Sequence, residues 1–316
     1  MRFVIIQPSW DHSEILSSLL FFIKKANYQV KIIYDWSHPE GNYLDYLCEL
    51  LGFGDNIKIN YKSPKHHIRD LETAHKIIFV DEIHLKKFFS KGVFIKMINK
   101  CYTFNHLTKK ILYDIKVLSL GVIPYTRCIN EKKYLVNSYY NPKNSIKILN
   151  NKIIKFLIVG NPKERNLKWL EHLPQRDNYL IYFIHRKDIE INHPNVIVKK
   201  NLATNELINL IDKIDYIITL FKENSCYYKD RISGILPYAI SFGKPIIMDT
   251  KFNEINKFYF IENKLVYENN LINFLKIFEQ ILELDNNKYQ NYCEKILKYR
   301  DSKISEQYLN FHLIFN

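Results

Sequence analysis

Short apolar runs alternate with amphipathic, helix-spaced stretches along almost the whole chain. That rhythm is the strongest constraint on the fold. A continuous apolar run bounded by turn residues reads as a strand buried on both faces, and a helix after each strand brings the chain back to start a parallel neighbour. In the first half, residues 3–6, 30–34, 77–80 and 117–120 read as strands. Residues 14–25, 43–51 and 96–115 read as helices. Turn residues at Asn141-Pro142-Lys143-Asn144-Ser145 mark a linker. The rhythm restarts at 153–159, followed by Gly160-Asn161-Pro162. Strands are then expected at 180–184, 196–198, 216–220, 246–248 and 265–267. Helices are expected at 204–211, capped by Thr204, at about 233–242, and at 270–284. The chain, 316 residues long, suits two such α/β domains.

Composition supports a globular protein, with 47% hydrophobic and 25% charged residues. No apolar run reaches the roughly 18 residues that span a bilayer. The five cysteines are scattered, odd in number and without a C-x-x-C pair, so neither a disulfide framework nor a zinc site is indicated. A reducing, cytoplasmic setting is expected, at most peripheral to a membrane. The net charge of +13 admits nucleic acid, an anionic membrane or phosphorylated small molecules as partners. The lysines form no tail or run, and surface lysines in a chain rich in Ile, Asn, Lys and Tyr account for much of the excess.

Glycine is scarce, with only 8 in the chain, about a third of the usual ~7%. A glycine that remains is therefore expected to answer a backbone need. Gly160, Gly234 and Gly243 each fall at a junction between strand and helix. In Ile232-Ser233-Gly234-Ile235-Leu236-Pro237, the proline fits only the first turn of a helix. Ser233 is then expected as the N-cap, and Gly234 leaves the first amides open to close approach. Gly243 and Pro245 fit the helix end. A helix start at the carboxyl edge of a parallel sheet is one place where phosphate binds. An ordinary capped core helix explains the same residues.

Residues 196–282 resemble the C-terminal domain of GT-B glycosyltransferases, especially the group containing sucrose, glycogen and lipopolysaccharide synthases. The likeness lies in Ala239-Ile240-Ser241-Phe242-Gly243-Lys244-Pro245-Ile246-Ile247, with Glu254 at the spacing of a glutamate in the next loop. The stretch from Gly160 to Leu170 resembles the first strand-loop-helix of that domain, where Lys163 and Arg165 stand nearest its basic pair. The resemblance covers about the last 165 residues, and the earlier part shares only the rhythm. It implies an α/β protein of two Rossmann-like, doubly wound parallel-sheet domains facing a cleft. Residues 1–145 would form the acceptor side and 146–286 the nucleotide-sugar side, with a helical tail over 287–316 packing back on the first domain. The resemblance further implies sugar transfer from a nucleotide-diphosphate sugar, a UDP-sugar first, to a hydroxyl of a glycan, lipid or protein. No cofactor and no metal are expected, because the chain has no Asp-x-Asp. Helix amides and basic side chains would stabilise the leaving diphosphate instead. Gly160, Lys163, Arg165, His185, Arg186, Ser233, Gly234 and Glu254 are the donor-binding candidates.

One departure concerns the glutamate pair of the retaining enzymes, whose positions hold Asp230 and Tyr238 here. Asp230 keeps a carboxylate toward the sugar, whereas Tyr238 cannot, so retention against inversion stays open. In the loop after the first strand, His12 is a candidate general base oriented by Asp11 or Glu14, although Asp11 and Ser13 also suit helix capping. His66-His67 makes a poor metal pair because adjacent side chains diverge, and Tyr227-Tyr228 suits packing better than sugar stacking. Three other readings stand beside this one: a catalytically inactive GT-B scaffold used for interaction, a nucleic-acid-binding protein suggested by charge alone, and a sugar-nucleotide epimerase on the same fold.

Overall fold

The computed structural model describes residues 1–7, 14–34, 41–79, 101–105, 116–119, 134–135, 153–186, 189–228, 233–256 and 265–315. The described residues divide into two compact units. One takes those up to 135 together with those from 304 on, and the other takes 153–303. The linker expected near residue 145 lies outside the described residues.

The first unit is built on a sheet of seven strands: β1 (Arg2–Gln7), β2 (Gln29–Tyr34), β3 (Lys58–Asn60), β4 (Lys76–Phe79), β5 (Cys101–Asn105), β6 (Lys116–Ser119) and β7 (Tyr134–Leu135). All pairings are parallel, in the order β3-β2-β1-β4-β5-β6-β7. The order reverses between β1 and β4, as in a doubly wound sheet. Successive side chains of β1 alternate between faces. Val4 and Ile6 join Ile33, Ile77, Phe79 and Leu71 in one buried cluster. Phe3, on the opposite face, stacks on Phe311 at 5.8 Å and meets Phe315 edge-on at 5.1 Å. Helices α1 (Glu14–Lys25), α2 (Gly41–Leu50) and α3 (Ile68–Thr73) connect the early strands.

The helix expected over 96–115 is not what forms at 101–105, where β5 runs beside β4. Cys101-Tyr102-Thr103-Phe104 is rich in aromatic and β-branched character, which favours a pleated strand. Cys101 and Tyr102 are both buried although they point to opposite faces, as a strand covered on both sides requires. Strands β3 and β7 and helix α3 are too short to have given a periodic signal.

The second unit holds β8 (Ile154–Val159), β9 (Tyr179–His185), β10 (Val196–Lys200), β11 (Tyr216–Ile218), β12 (Ile246–Asp249) and β13 (Val266–Tyr267). These are parallel in the order β10-β9-β8-β11-β12-β13, reversing between β8 and β11. The helices are α4 (Thr204–Lys213), α5 (Ile235–Ser241), α6 (Thr250–Asn256), α7 (Leu271–Leu282) and α8 (Asn286–Phe315). The cap of α4 is Ala203 rather than Thr204. The Glu206 side chain reaches back to accept from the Ala203 amide at 3.0 Å, giving the reciprocal half of a capping box. Asn270 caps α7 through its side chain. The stripe Phe274, Phe278 and Ile281 is fully buried, with Phe278 4.8 Å from Phe156 of β8.

Helix α5 ends in a Schellman motif. The Lys244 amide donates to Ala239 at 2.8 Å and the Gly243 amide to Ile240 at 3.2 Å. Gly243 takes φ +62°, the left-handed turn that glycine allows without strain. The Lys244 ammonium is drawn inward to cap α4 through the carbonyls of Asp212 and Ile214.

The tail expected over 287–316 is the single helix α8. Its early residues pack within the second unit. Tyr289 is buried, lies 5.4 Å from Tyr216, and donates to the carbonyl of Asp215. Arg300 donates to the carbonyl of Ser241 at 2.9 Å. From Ile304 the chain counts with the first unit, and Phe311 and Phe315 supply the rings that cover Phe3. Among the described residues no helix is long and apolar enough to cross a membrane.

Candidate functional site at the carboxyl edge of the second sheet

In a doubly wound sheet, ligands collect at the carboxyl ends of the strands where the order reverses. In the second unit that point lies between β8 and β11. Two loops frame it: residues 160–166 after β8, and residues 219–228 after β11.

The first loop opens at Gly160, whose φ is +126°, a region closed to residues with a Cβ. The loop then makes a short 3-10 turn over Pro162–Glu164, with the Asn161 side chain accepting from the Lys163 amide at 3.1 Å. Lys163 is exposed. Arg165 is buried, 2% exposed. It donates through Nη1 to the carbonyl of Thr219 and through Nη2 to the carbonyl of Val159. Its guanidinium lies 4.2 Å from the Phe221 ring centroid and 5.6 Å from that of Tyr227. Burial lowers its pKa to about 10.

The two loops are also joined through the backbone. Arg165 and Phe221 form an antiparallel bridge. The Asn166 amide donates to Leu220 at 2.9 Å, and the Lys222 amide to Glu164 at 3.0 Å. The Glu164 carboxylate accepts from the Ser225 hydroxyl at 2.8 Å and the Cys226 amide at 3.0 Å. Leu220 sits at φ +48°, an uncommon conformation for a bulky residue and one that marks a constrained turn.

Beyond β11 the edge continues as a polar network. Tyr228 donates to Asp249 at the end of β12, and Asn269 donates to the Tyr228 hydroxyl at 3.0 Å. Burial raises the pKa of both Tyr228 and Asp249.

The remaining candidates fall on the same edge of the same sheet. His185 closes β9, is buried, and stacks on Phe183 at 4.7 Å. Arg186, the next residue, is exposed. Glu254 is exposed on α6. Helix α5 begins two residues later than expected, at Ile235. Gly234 takes the cap position without a side-chain hydrogen bond, so the expected capping role of Ser233 is corrected. Ser233 is buried, and its carbonyl accepts from the Leu236 amide at 3.1 Å. Gly234 is exposed with φ −60°, a conformation open to any residue. Unlike Gly160 and Gly243, it therefore meets no backbone need. Asp11, His12 and Asp230 lie outside the described residues. His66 and His67 diverge as expected, His66 to the Ser63 hydroxyl and His67 against Tyr61. Among the described residues no three His, Cys, Asp or Glu side chains gather as a metal site would require.

Glu164, Asn166, Asp249 and Asn269 shape this edge without having been singled out from the sequence. Asparagine is too common here for two of them to stand out, and a buried aspartate at a strand end carries no local pattern.

Solved structures share this architecture across both units. A glycosyltransferase from Rickettsia africae ESF-5 is similar over 99% of this chain and 97% of its own, at 12% identity and a TM-score of 0.65. An alpha-glucosyltransferase solved with UDP-glucose and DNA containing an abasic site is similar over 95% of both chains, at 11% identity and a TM-score of 0.58. A UDP-GlcNAc 2-epimerase from Neisseria meningitidis, bound to UDP-GlcNAc, is similar over 98% of this chain and all of its own, at 12% identity and a TM-score of 0.57. At such identities the likeness is one of fold. The chain has the GT-B fold, with two Rossmann-like parallel-sheet domains. No protein-family model and no curated protein matches the sequence.

Proposed function

We propose that this protein is a glycosyltransferase that takes a sugar from a nucleotide-diphosphate sugar, a UDP-sugar first, to an acceptor hydroxyl without a divalent metal. The observation that carries the reading is the carboxyl edge of the second sheet, where the β8 and β11 loops frame the switch point and polar candidates from four neighbouring segments share one rim. Two fold neighbours solved with UDP-glucose and UDP-GlcNAc support the donor class.

In this proposal the diphosphate lies along the rim, with the exposed Gly234 allowing close approach and Ser233 beside it. Charge grows on the leaving diphosphate as the glycosidic bond breaks, and preorganised donors are most effective where charge develops. Lys163 and Arg186 supply exposed cations, and Gly160 brings backbone to the rim. His185 and Glu254 would orient the donor. On the acceptor side His12, oriented by Asp11 or Glu14, would take the proton from the attacking hydroxyl, and Asp230 would face the sugar. The acceptor is a glycan, lipid or protein.

A thermal-shift screen against UDP-, GDP-, ADP-, CMP- and TDP-sugars tests the donor class. A ligand at 100 times its Kd adds about 2.7 kcal/mol of stability. Product analysis then separates the chemistry: transfer or donor hydrolysis supports the proposal. Inversion at C2 of the sugar without transfer points to the epimerase reading, and no shift with any sugar nucleotide points to an inactive scaffold.

A further inference from the structure

Arg165 combines features that a phosphate-binding arginine does not share. A guanidinium that grips phosphate presents its planar fork to the ligand. Here one Nη is held by the last residue of β8 and the other by Thr219 just beyond β11. One face is covered by Phe221. Nε is buried without a hydrogen-bond partner, and among the described residues the side chain has no ion pair. Burying a cation is costly unless its donors are met, and here two carbonyl bonds and a ring contact hold it in place. Gly160 is fitted to this side chain: a Cβ there would stand 2.9 Å from Nη2. The close approach that glycine permits at this junction is thus an approach to arginine.

We propose that Arg165 is a positioning residue: it straps the loop after β8 to the loop after β11 and so sets the width of the switch point, and it is not a ligand of the donor phosphates. The role rests on the donor reading only in what the switch point would hold. The strap itself is made entirely of the chain's own residues. Glu164 and Asn166 extend it on either side, through Ser225 and Cys226 in one direction and Leu220 and Phe221 in the other. Lysine is a poor replacement: its compact ammonium would have to meet both carbonyls from a single nitrogen, and it has no flat fork to lie along the Phe221 ring.

The experiment compares the parent with Arg165→Lys and Arg165→Met in two measurements. The first is amide hydrogen exchange without ligand. Both variants should lose at least tenfold protection at Asn166 and Lys222, whose amides bond across the loops, while β9 and β10 keep theirs. The second is affinity for UDP, UMP and uridine, with GDP, GMP and guanosine in parallel. Both variants should weaken the whole binding series by one similar factor, because the walls have moved. A loss that grows from nucleoside to monophosphate to diphosphate, with lysine partly restoring it, would overturn the proposal in favour of a phosphate contact. Parent-like exchange in Arg165→Met would overturn it as well. If neither variant folds, Glu164→Gln takes their place: reduced protection at Cys226 supports the strap, and unchanged protection overturns it. A parent that binds no nucleotide refutes the donor reading, and the exchange comparison still decides on Arg165.

Discussion

Tyr228 donates its hydroxyl to the Asp249 carboxylate across 2.7 Å, joining the loop after β11 to the end of β12. The other carboxylate oxygen accepts from the Phe252 amide at 2.9 Å and so caps α6. Tyr228→Phe would leave one buried carboxylate oxygen without its donor. Leaving a buried acceptor unsatisfied costs about 1–3 kcal/mol, so the urea midpoint should fall accordingly. An unchanged midpoint would mean that water reaches this carboxylate.

The same carboxylate makes stability depend on pH, with a defined sign. Burial raises the Asp249 pKa above the usual carboxylate range, against the opposing hydrogen bonds from Tyr228 and Phe252. The folded protein therefore holds this proton at pH values where the unfolded chain has released it. The stability this contributes is complete below the usual carboxylate range and is lost as pH rises through the raised pKa. Asp249→Asn removes the titration. The parent should lose stability relative to Asp249→Asn as pH rises across that window, with a constant gap above it. Parallel stability curves for the two proteins across the window would contradict this.

The second sheet was the more legible half. Each of its strands announced itself as a short apolar run, and inside the sheet the cause is burial on both faces: Ile246, Ile247 and Met248 are all fully covered. Gly160 and Gly243 also showed through, since both take positive φ, whereas the same scarcity argument did not hold for Gly234. Strand β5 was misread because its residues fit a helical pattern as well as a strand, and the deciding fact, pairing with β4, is not local. The position of the described candidates at strand ends was legible, but not their contacts. Arg165 read as a ligand because its charge and its distance from Gly160 are visible in sequence, whereas the carbonyls of Val159 and Thr219 that hold it are brought together only by the fold.

Gly243→Ala should be costly for two separable reasons. The residue sits at φ +62°, and a Cβ there would stand 2.8 Å from the Leu297 side chain of α8. Left-handed strain at a residue with a Cβ costs about 1–3 kcal/mol. Leu297→Ala in the same background should recover the steric part and leave the backbone part, a non-additivity that chemical denaturation of the double-mutant cycle reads directly. Simple additivity of the two changes would show that α8 yields to the extra methyl.

Donor binding and transfer should not depend on a divalent metal. The motive is the missing Asp-x-Asp together with the exposed cations Lys163 and Arg186 on the proposed rim. Activity in EDTA should equal that in Mg²⁺ or Mn²⁺. Loss of activity in EDTA that Mn²⁺ restores would require a metal site in the residues around the donor.

The most direct test is donor affinity in Gly234→Val, measured by titration calorimetry with the sugar nucleotide that stabilises the parent most. Gly234 is exposed, in a conformation any residue adopts, so a branched side chain there obstructs a ligand without straining the backbone. The variant should keep the parent's melting temperature without ligand and bind the donor at least about tenfold more weakly, roughly 1.4 kcal/mol. Parent-like affinity would place the diphosphate elsewhere and contradict the site at the carboxyl edge of the second sheet.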